Sequence, residues 1–163
     1  MLFRSESKVR KSTFFAPSSF VEGWAHYCEQ MMIEAGFRRN DATIKLGQLA
    51  EALVRLARFV VAIRLHCEDM SVEQGMRFFR DEAFLEEATA RREAERGTFD
   101  ATYLVYSVGK LAMLKLRRDF KEQQGSKYSL RSFHDAVLAQ GSAPFWAHRR
   151  LLLDDGSDAA VLE

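Results

Sequence analysis

Between Pro17 and Pro144 the chain contains no proline, and this long interior constrains the fold more than any other feature of the sequence. A proline inside a helix removes a backbone hydrogen bond and clashes with the preceding turn, so its absence leaves the whole interior open to helix. Both prolines stand where helices are expected to begin, a place that their fixed φ suits. The apolar residues recur at helical spacing, and at 47% of 163 residues they suffice for a real core. The expectation is an all-α protein, an irregular multi-helix assembly forming one partial helical domain over residues 1–163. Residues 1–17 read as a loosely ordered lead-in, and residues 154–163 as a frayed tail.

Start and stop signals divide this interior. Ser18 or Ser19, with Glu22 as the capping partner of Ser19, opens a first helix that Gly36 closes. A second runs from Asp41 to about Asp69, with Ile44, Leu46, Leu49, Leu53, Leu56, Val60, Ile63 and Cys67 as its apolar stripe; at about 1.5 Å per residue it is roughly 40 Å long. Ser71 and Gln74 form a capping box for a third helix to about Glu82, and a fourth covers Phe84 to Arg96. Thr98 or Asp100 caps a long helix to about Gln124, Ser129 caps the next, and Ser142-Ala143-Pro144 opens the last. No solenoid period and no sustained coiled-coil heptad is present.

Composition and motifs exclude several function classes. Lysine plus arginine (24) nearly balances aspartate plus glutamate (23), so no overall field favours nucleic acid or an anionic membrane. The longest apolar run, Phe59 to Ile63, has an arginine on each side and falls far short of a membrane span. Arg4, Glu6, Lys8, Arg10 and Lys11 break any signal-peptide core, and nothing assigns a compartment to the protein. Cys28 and Cys67 lack Cys-x-x-Cys spacing and read as small buried hydrophobes of a reducing compartment. There is no Gly-x-Ser-x-Gly elbow, phosphate-binding glycine loop, EF-hand or zinc finger.

The stretch Glu22-Gly-Trp-Ala-His-Tyr-Cys-Glu29 stands apart. Glu22, His26 and Glu29 are spaced i, i+4, i+7 and share one face of a helix whose other positions are largely apolar. Charge held in such a place must be paired, protonated or bound to a metal. Read from spacing alone, Glu22 is more often a helix-start carboxylate that caps the helix or complements its dipole, and His26 more often a satisfied, partly buried histidine.

The Glu22-Gly-Trp-Ala segment resembles the motif of a family of zinc-metallopeptidase-like proteins catalogued as domain of unknown function 885. The likeness continues through Arg64-Leu65-His66, the Thr102 to Lys110 block, Ser129 to Asp135 and Gly141 to Pro144, in the family's order. It implies that Glu22 is the third zinc ligand and that Tyr106 donates to the oxyanion of peptide or amide hydrolysis, although aromatic packing explains Tyr106 as well. His26, Glu29, Arg64, His66, Tyr103 and Lys110 are then second-shell or substrate-binding. Glu29 is expected to serve as structural support, orienting neighbouring groups or pairing with an arginine such as Arg64, and a helix-to-helix salt bridge would account for Arg64 and His66 equally.

The family's other ligands lie in an upstream segment holding a His-Glu pair. None of His26, His66, His134 and His148 is followed by glutamate. The resemblance therefore implies a C-terminal portion of such a protein, inactive alone, that binds zinc only with the missing N-terminal half. The alternative is a non-catalytic helical interaction module, with self-association through exposed apolar surface as a further possibility. Neither nucleic acid nor a membrane span is expected.

Overall fold

The computed structural model describes residues 16–154 and Leu162, so the expected lead-in and tail lie almost entirely outside the described residues. Among the described residues seven α-helices follow in order: α1 Ser18–Glu34, α2 Ala42–Cys67, α3 Val72–Ala83, α4 Glu87–Gly97, α5 Val105–Gln124, α6 Leu130–Gln140 and α7 Phe145–Leu152. Short 3-10 turns occupy Phe37–Asn40, Ala101–Leu104 and Gly125–Lys127. No strand occurs among the described residues, and the protein is all-α with helices of unequal length.

Most starts are set by the expected caps. Asp41 accepts from the Thr43 N–H at the head of α2, and the Ser71–Gln74 capping box opens α3. Asp100, not Thr98, caps the turn that leads into α5. Ser129 caps α6 in a reciprocal pair with Ser132. Two expectations are corrected. Ser19 lies inside α1, where the Pro17 carbonyl accepts the first N–H groups from Phe20 (2.9 Å) and Val21 (3.2 Å), so the Ser19–Glu22 cap does not form. Phe84 does not begin a helix; at φ 56° it terminates α3 in the left-handed region, and α4 starts behind Glu86, whose carboxylate accepts from the Thr89 N–H.

The chain divides into two compact units, residues 28–107 and residues 1–27 with 108–163, the boundaries falling inside α1 and α5. In the unit of residues 28–107, α2 packs on α3, α4 and the 101–104 turn. Its core is Ala57, Val61, Ala62, Met76, Phe79, Ala83, Ala90, Ala94 and Tyr103. The expected apolar stripe of α2 is therefore corrected: Leu46, Leu49 and Leu56 are 69%, 53% and 52% exposed, and Cys67 is exposed too. The face that is buried carries alanine and valine, because small side chains let α3 and α4 come close. Both cysteines are free, with Cys28 partly buried.

In the other unit α6 packs on α7, and Phe20, Met113, Leu116, Phe120, Phe133, Val137 and Phe145 form the core. Here α1 meets α5 at backbone distance. A Cβ added to Gly23 would lie 2.5 Å from the Gly109 Cα, and one added to Gly109 would lie 2.7 Å from the Gly23 Cα. Any side chain larger than hydrogen at either position would force the helices apart. No helix among the described residues is long and apolar enough to cross a membrane.

Candidate functional site

Each unit organises part of the predicted site. In the unit containing residues 16–27, Glu22 is half-buried one turn before His26, which is 2% exposed. The Gly23–Gly109 contact brings α5 alongside, and the Lys110 Nζ lies 3.4 Å from the His26 Nε2. His26 and Lys110 thus lie side by side, the Lys110 Nζ facing the imidazole. At the next residue, the buried Tyr27 hydroxyl is 2.9 Å from the His134 Nε2 and accepts from Arg117 Nη1 at 3.4 Å. Trp24 packs edge-on against the His134 ring, at 5.5 Å between centroids. Burial and the nearby Arg117 charge hold the His134 pKa below its ordinary value. The tryptophan and tyrosine of the motif therefore grip the histidine of the Ser-Phe-His-Asp block, a pairing that spacing within either segment could not reveal.

In the unit of residues 28–107, Glu29 pairs with Arg55 at 2.8 Å, not with Arg64. Ser107 donates to the Arg55 carbonyl at 3.4 Å. Arg64 lies 3.6 Å from Glu68 of its own chain segment and its guanidinium carbon is 5.7 Å from the Phe78 ring centroid. His66 lies 3.0 Å from the Gly97 carbonyl, capping the end of α4. The two residues of the Arg64-Leu65-His66 block thus serve different contacts. A groove of about 500 Å³ runs over Arg64, Arg77, Phe78 and the carboxylates Glu68, Asp69, Asp81 and Glu82; of the predicted site residues it holds Arg64 alone.

Tyr103 and Tyr106 meet a group that sequence reading missed. Arg58 is forked onto Glu93, Nε to Oε2 and Nη2 to Oε1, both at 2.7 Å. Tyr103, 1% exposed, donates its hydroxyl to the Glu93 Oε2 at 3.1 Å. The Arg58 guanidinium carbon stands 5.3 Å from the Tyr103 ring centroid and 5.8 Å from that of Tyr106. Desolvation pushes the Glu93 pKa up, but the Arg58 hydrogen bond and charge outweigh it and keep the carboxyl ionised. The Glu93 hydrogen bond likewise raises Arg58, and burial followed by the Glu93 charge drives the Tyr103 phenol far above its ordinary value. At neutral pH the group is therefore a fixed cation, a fixed anion and a neutral phenol. In the sequence Glu93 sits in a charged run after Arg91-Arg92 and reads as solvated surface.

Among the described residues no three His, Cys, Asp or Glu side chains converge to hold a metal. With Lys110 turned toward the only imidazole on its face, Glu22 by itself does not make a zinc site.

The sequence profile described as "Bacterial protein of unknown function (DUF885)" matches residues 3–150. The chain belongs to the DUF885 family. Two solved structures share its fold. A candidate lipoprotein of unknown function from Shewanella oneidensis is 28% identical with a TM-score of 0.85, over 94% of this chain and 28% of that one. A candidate lipoprotein from Colwellia psychrerythraea is 32% identical with a TM-score of 0.81, over 88% of this chain and 24% of that one. This DUF885 chain thus spans about a quarter of each solved protein that it matches. No curated protein matches it.

Proposed function

We propose that this DUF885 chain is the C-terminal helical portion of a zinc-dependent, peptidase-like hydrolase. Glu22 contributes one carboxylate to the metal, and Tyr106 donates a hydrogen bond to the charge that develops on a scissile carbonyl oxygen. The observation that supports this reading is the backbone contact of Gly23 with Gly109, which accounts for two glycines of the motif blocks by one packing event and leaves Glu22 half-buried beside it. A purely surface helix would need neither glycine. The described residues supply too few donors to hold zinc, so the remaining ligands must come from elsewhere in the parent protein, and the chain alone is inactive. His26 and Lys110 then support the Glu22 side of the site, while Glu29 is fixed by Arg55.

The test compares a full-length DUF885 protein carrying this segment with its Glu22→Gln variant. Zinc content by mass spectrometry and cleavage of a peptide mixture should both fall, cleavage by roughly a hundredfold or more if a metal ligand is lost. Equal zinc content and equal cleavage would refute the assignment. Tyr106→Phe should retain zinc and lose roughly ten- to a thousandfold in kcat, the range expected when one oxyanion donor is removed.

A second reading, a non-catalytic helical module that binds a partner, is favoured by one observation. Leu46, Leu49, Leu56 and Ile63 of α2 follow one another at spacings of three, seven and seven residues, and all four are exposed. It predicts a defined complex that survives Glu22→Gln and is lost in Leu49→Glu.

A further inference from the structure

The proposed function gives Tyr106 a task but no means of holding its ring in place, since α5 fixes only the backbone. Residues around it supply that means. A phenyl ring half-exposed on a helix has two soft torsions, and a donor that must meet a developing oxyanion loses effectiveness with small displacements. One group with a fixed geometry of its own stands over the Tyr106 ring: the Arg58 guanidinium, 5.8 Å from centroid to central carbon.

Arg58 is itself unusually constrained. Its two 2.7 Å bonds to Glu93 fix the guanidinium in both position and plane, because a fork on a carboxylate leaves no free rotation. Glu93 is fixed in turn by the Tyr103 hydroxyl at 3.1 Å, and both side chains of the ion pair are less than one-fifth exposed. Tyr103 is held from its other neighbour, Arg96, whose guanidinium carbon lies 5.3 Å from the ring and which bonds Asp100 at 3.1 Å. Asp100 caps the turn immediately before α5. The relay thus begins at the cap of the turn that leads into α5 and ends on the ring of Tyr106.

We propose that Arg58 is a positioning residue for Tyr106: clamped by Glu93, it sets the orientation of the Tyr106 ring and places a permanent positive charge on it. The inference rests on the assignment of Tyr106 to transition-state stabilisation for its functional meaning, but not for its physical content. A cation against a phenol ring is attracted to the π system and draws electron density from it, which makes the hydroxyl a stronger hydrogen-bond donor. The Nη1 of Arg58, not used by Glu93, leaves the cation able to serve this purpose without breaking the fork.

The chain has four tyrosines, so the protein labelled with ¹³C-tyrosine gives a spectrum simple enough to follow, and the Tyr106→Phe variant identifies the Tyr106 signals by their loss. Arg58→Lys keeps the charge and removes the fork. Its Tyr106 ring signals should shift by more than a line width and sharpen towards those of a freely turning ring, while Tyr27 and Tyr128 stay in place. Glu93→Gln, which frees the guanidinium without altering Arg58, should move the same signals in the same direction. Circular dichroism confirms that each variant is folded; if Arg58→Lys does not fold, Glu93→Gln and the milder Glu93→Asp carry the comparison. Tyr106 signals unchanged in folded variants whose Tyr103 signals move would overturn the proposal, because Arg58 would then hold Tyr103 alone. The functional premise fails separately, if the full-length protein turns over equally well with Tyr106→Phe. In that event the spectra still decide whether Arg58 orients the ring.

Discussion

In the unit of residues 28–107 two half-buried ion pairs, Arg58 forked on Glu93 and Arg55 on Glu29, tie helix to helix. In the unit containing residues 108–163, the crossing of α1 and α5 is made by bare backbone, Gly23 on Gly109, and a fully buried neutral imidazole, His148, stacks on Phe20 with ring centroids 4.6 Å apart and planes within 10°. The two designs tolerate change differently. An ion pair can lengthen by a few tenths of an ångström and keep most of its attraction, whereas a backbone contact has no side chain that can turn away.

The largest effect should come from the glycine crossing. Gly109→Ala forces a methyl group against the α1 backbone, and we expect a loss of about 3 kcal/mol, read as a lowered urea midpoint. Gly97→Ala in the other unit is the control. There the new methyl would lie 2.8 Å from the end of the Leu65 side chain, which can turn, so about 1 kcal/mol is expected. Equal losses at the two glycines would remove the distinction between backbone and side-chain contact.

Acid provides the next test. Burial lowers the His148 pKa to about 4, against a slight opposing effect of the Gly141 backbone, and its ordinary value is 6.5. The folded-state pKa is depressed, so the unfolded chain takes up the proton first. Stability from this group is complete above about pH 6.5 and declines as pH falls towards 4, by roughly 3 kcal/mol in all. His148→Phe, which preserves the stack on Phe20, should flatten that part of the pH profile of the urea midpoint. A profile as steep as that of the parent chain would show that His148 is not the group being titrated.

Glu93→Ala leaves Arg58 largely buried without its partner, and should cost about 2–3 kcal/mol, less than a fully enclosed pair because both side chains retain some exposure. A double-mutant cycle with Arg58→Ala measures the coupling; a value near zero would make this ion pair no different from a surface one. The smallest effect has the opposite sign. Gly47 lies within α2 with nothing within 4 Å of a Cβ placed there, so Gly47→Ala should stabilise the helix by up to about 1 kcal/mol in thermal unfolding.

These contrasts separate what local pattern encodes from what it does not. The caps at Asp41, Ser71, Asp100 and Ser129 were legible, because a cap is a contact among residues two or three apart. The face of α2 was not. Its leucines at 46, 49 and 56 dominate the periodicity, while the small residues at 57, 61 and 62 make the core, since which face is buried depends on how closely α3 and α4 can approach. Glu29 was legible as a residue needing an arginine, but Arg55 and Arg64 lie on the same helix, and only the packing chooses between them. Glu93 gave no signal at all: an acid in a charged run becomes a buried anchor only when another helix delivers Arg58 and Tyr103 to it.

The sequence by itself determined the helical class, most of the helix starts and the family, whose profile matches residues 3–150. Each of these depends on interactions between near neighbours or on residue order. The tertiary structure alone decided that Gly23 faces Gly109, that Lys110 faces His26, and that Arg58 connects Glu93 to both tyrosines. Such contacts join residues that are far apart in the chain, and their energies depend on distances of a few ångströms that only the packed helices define.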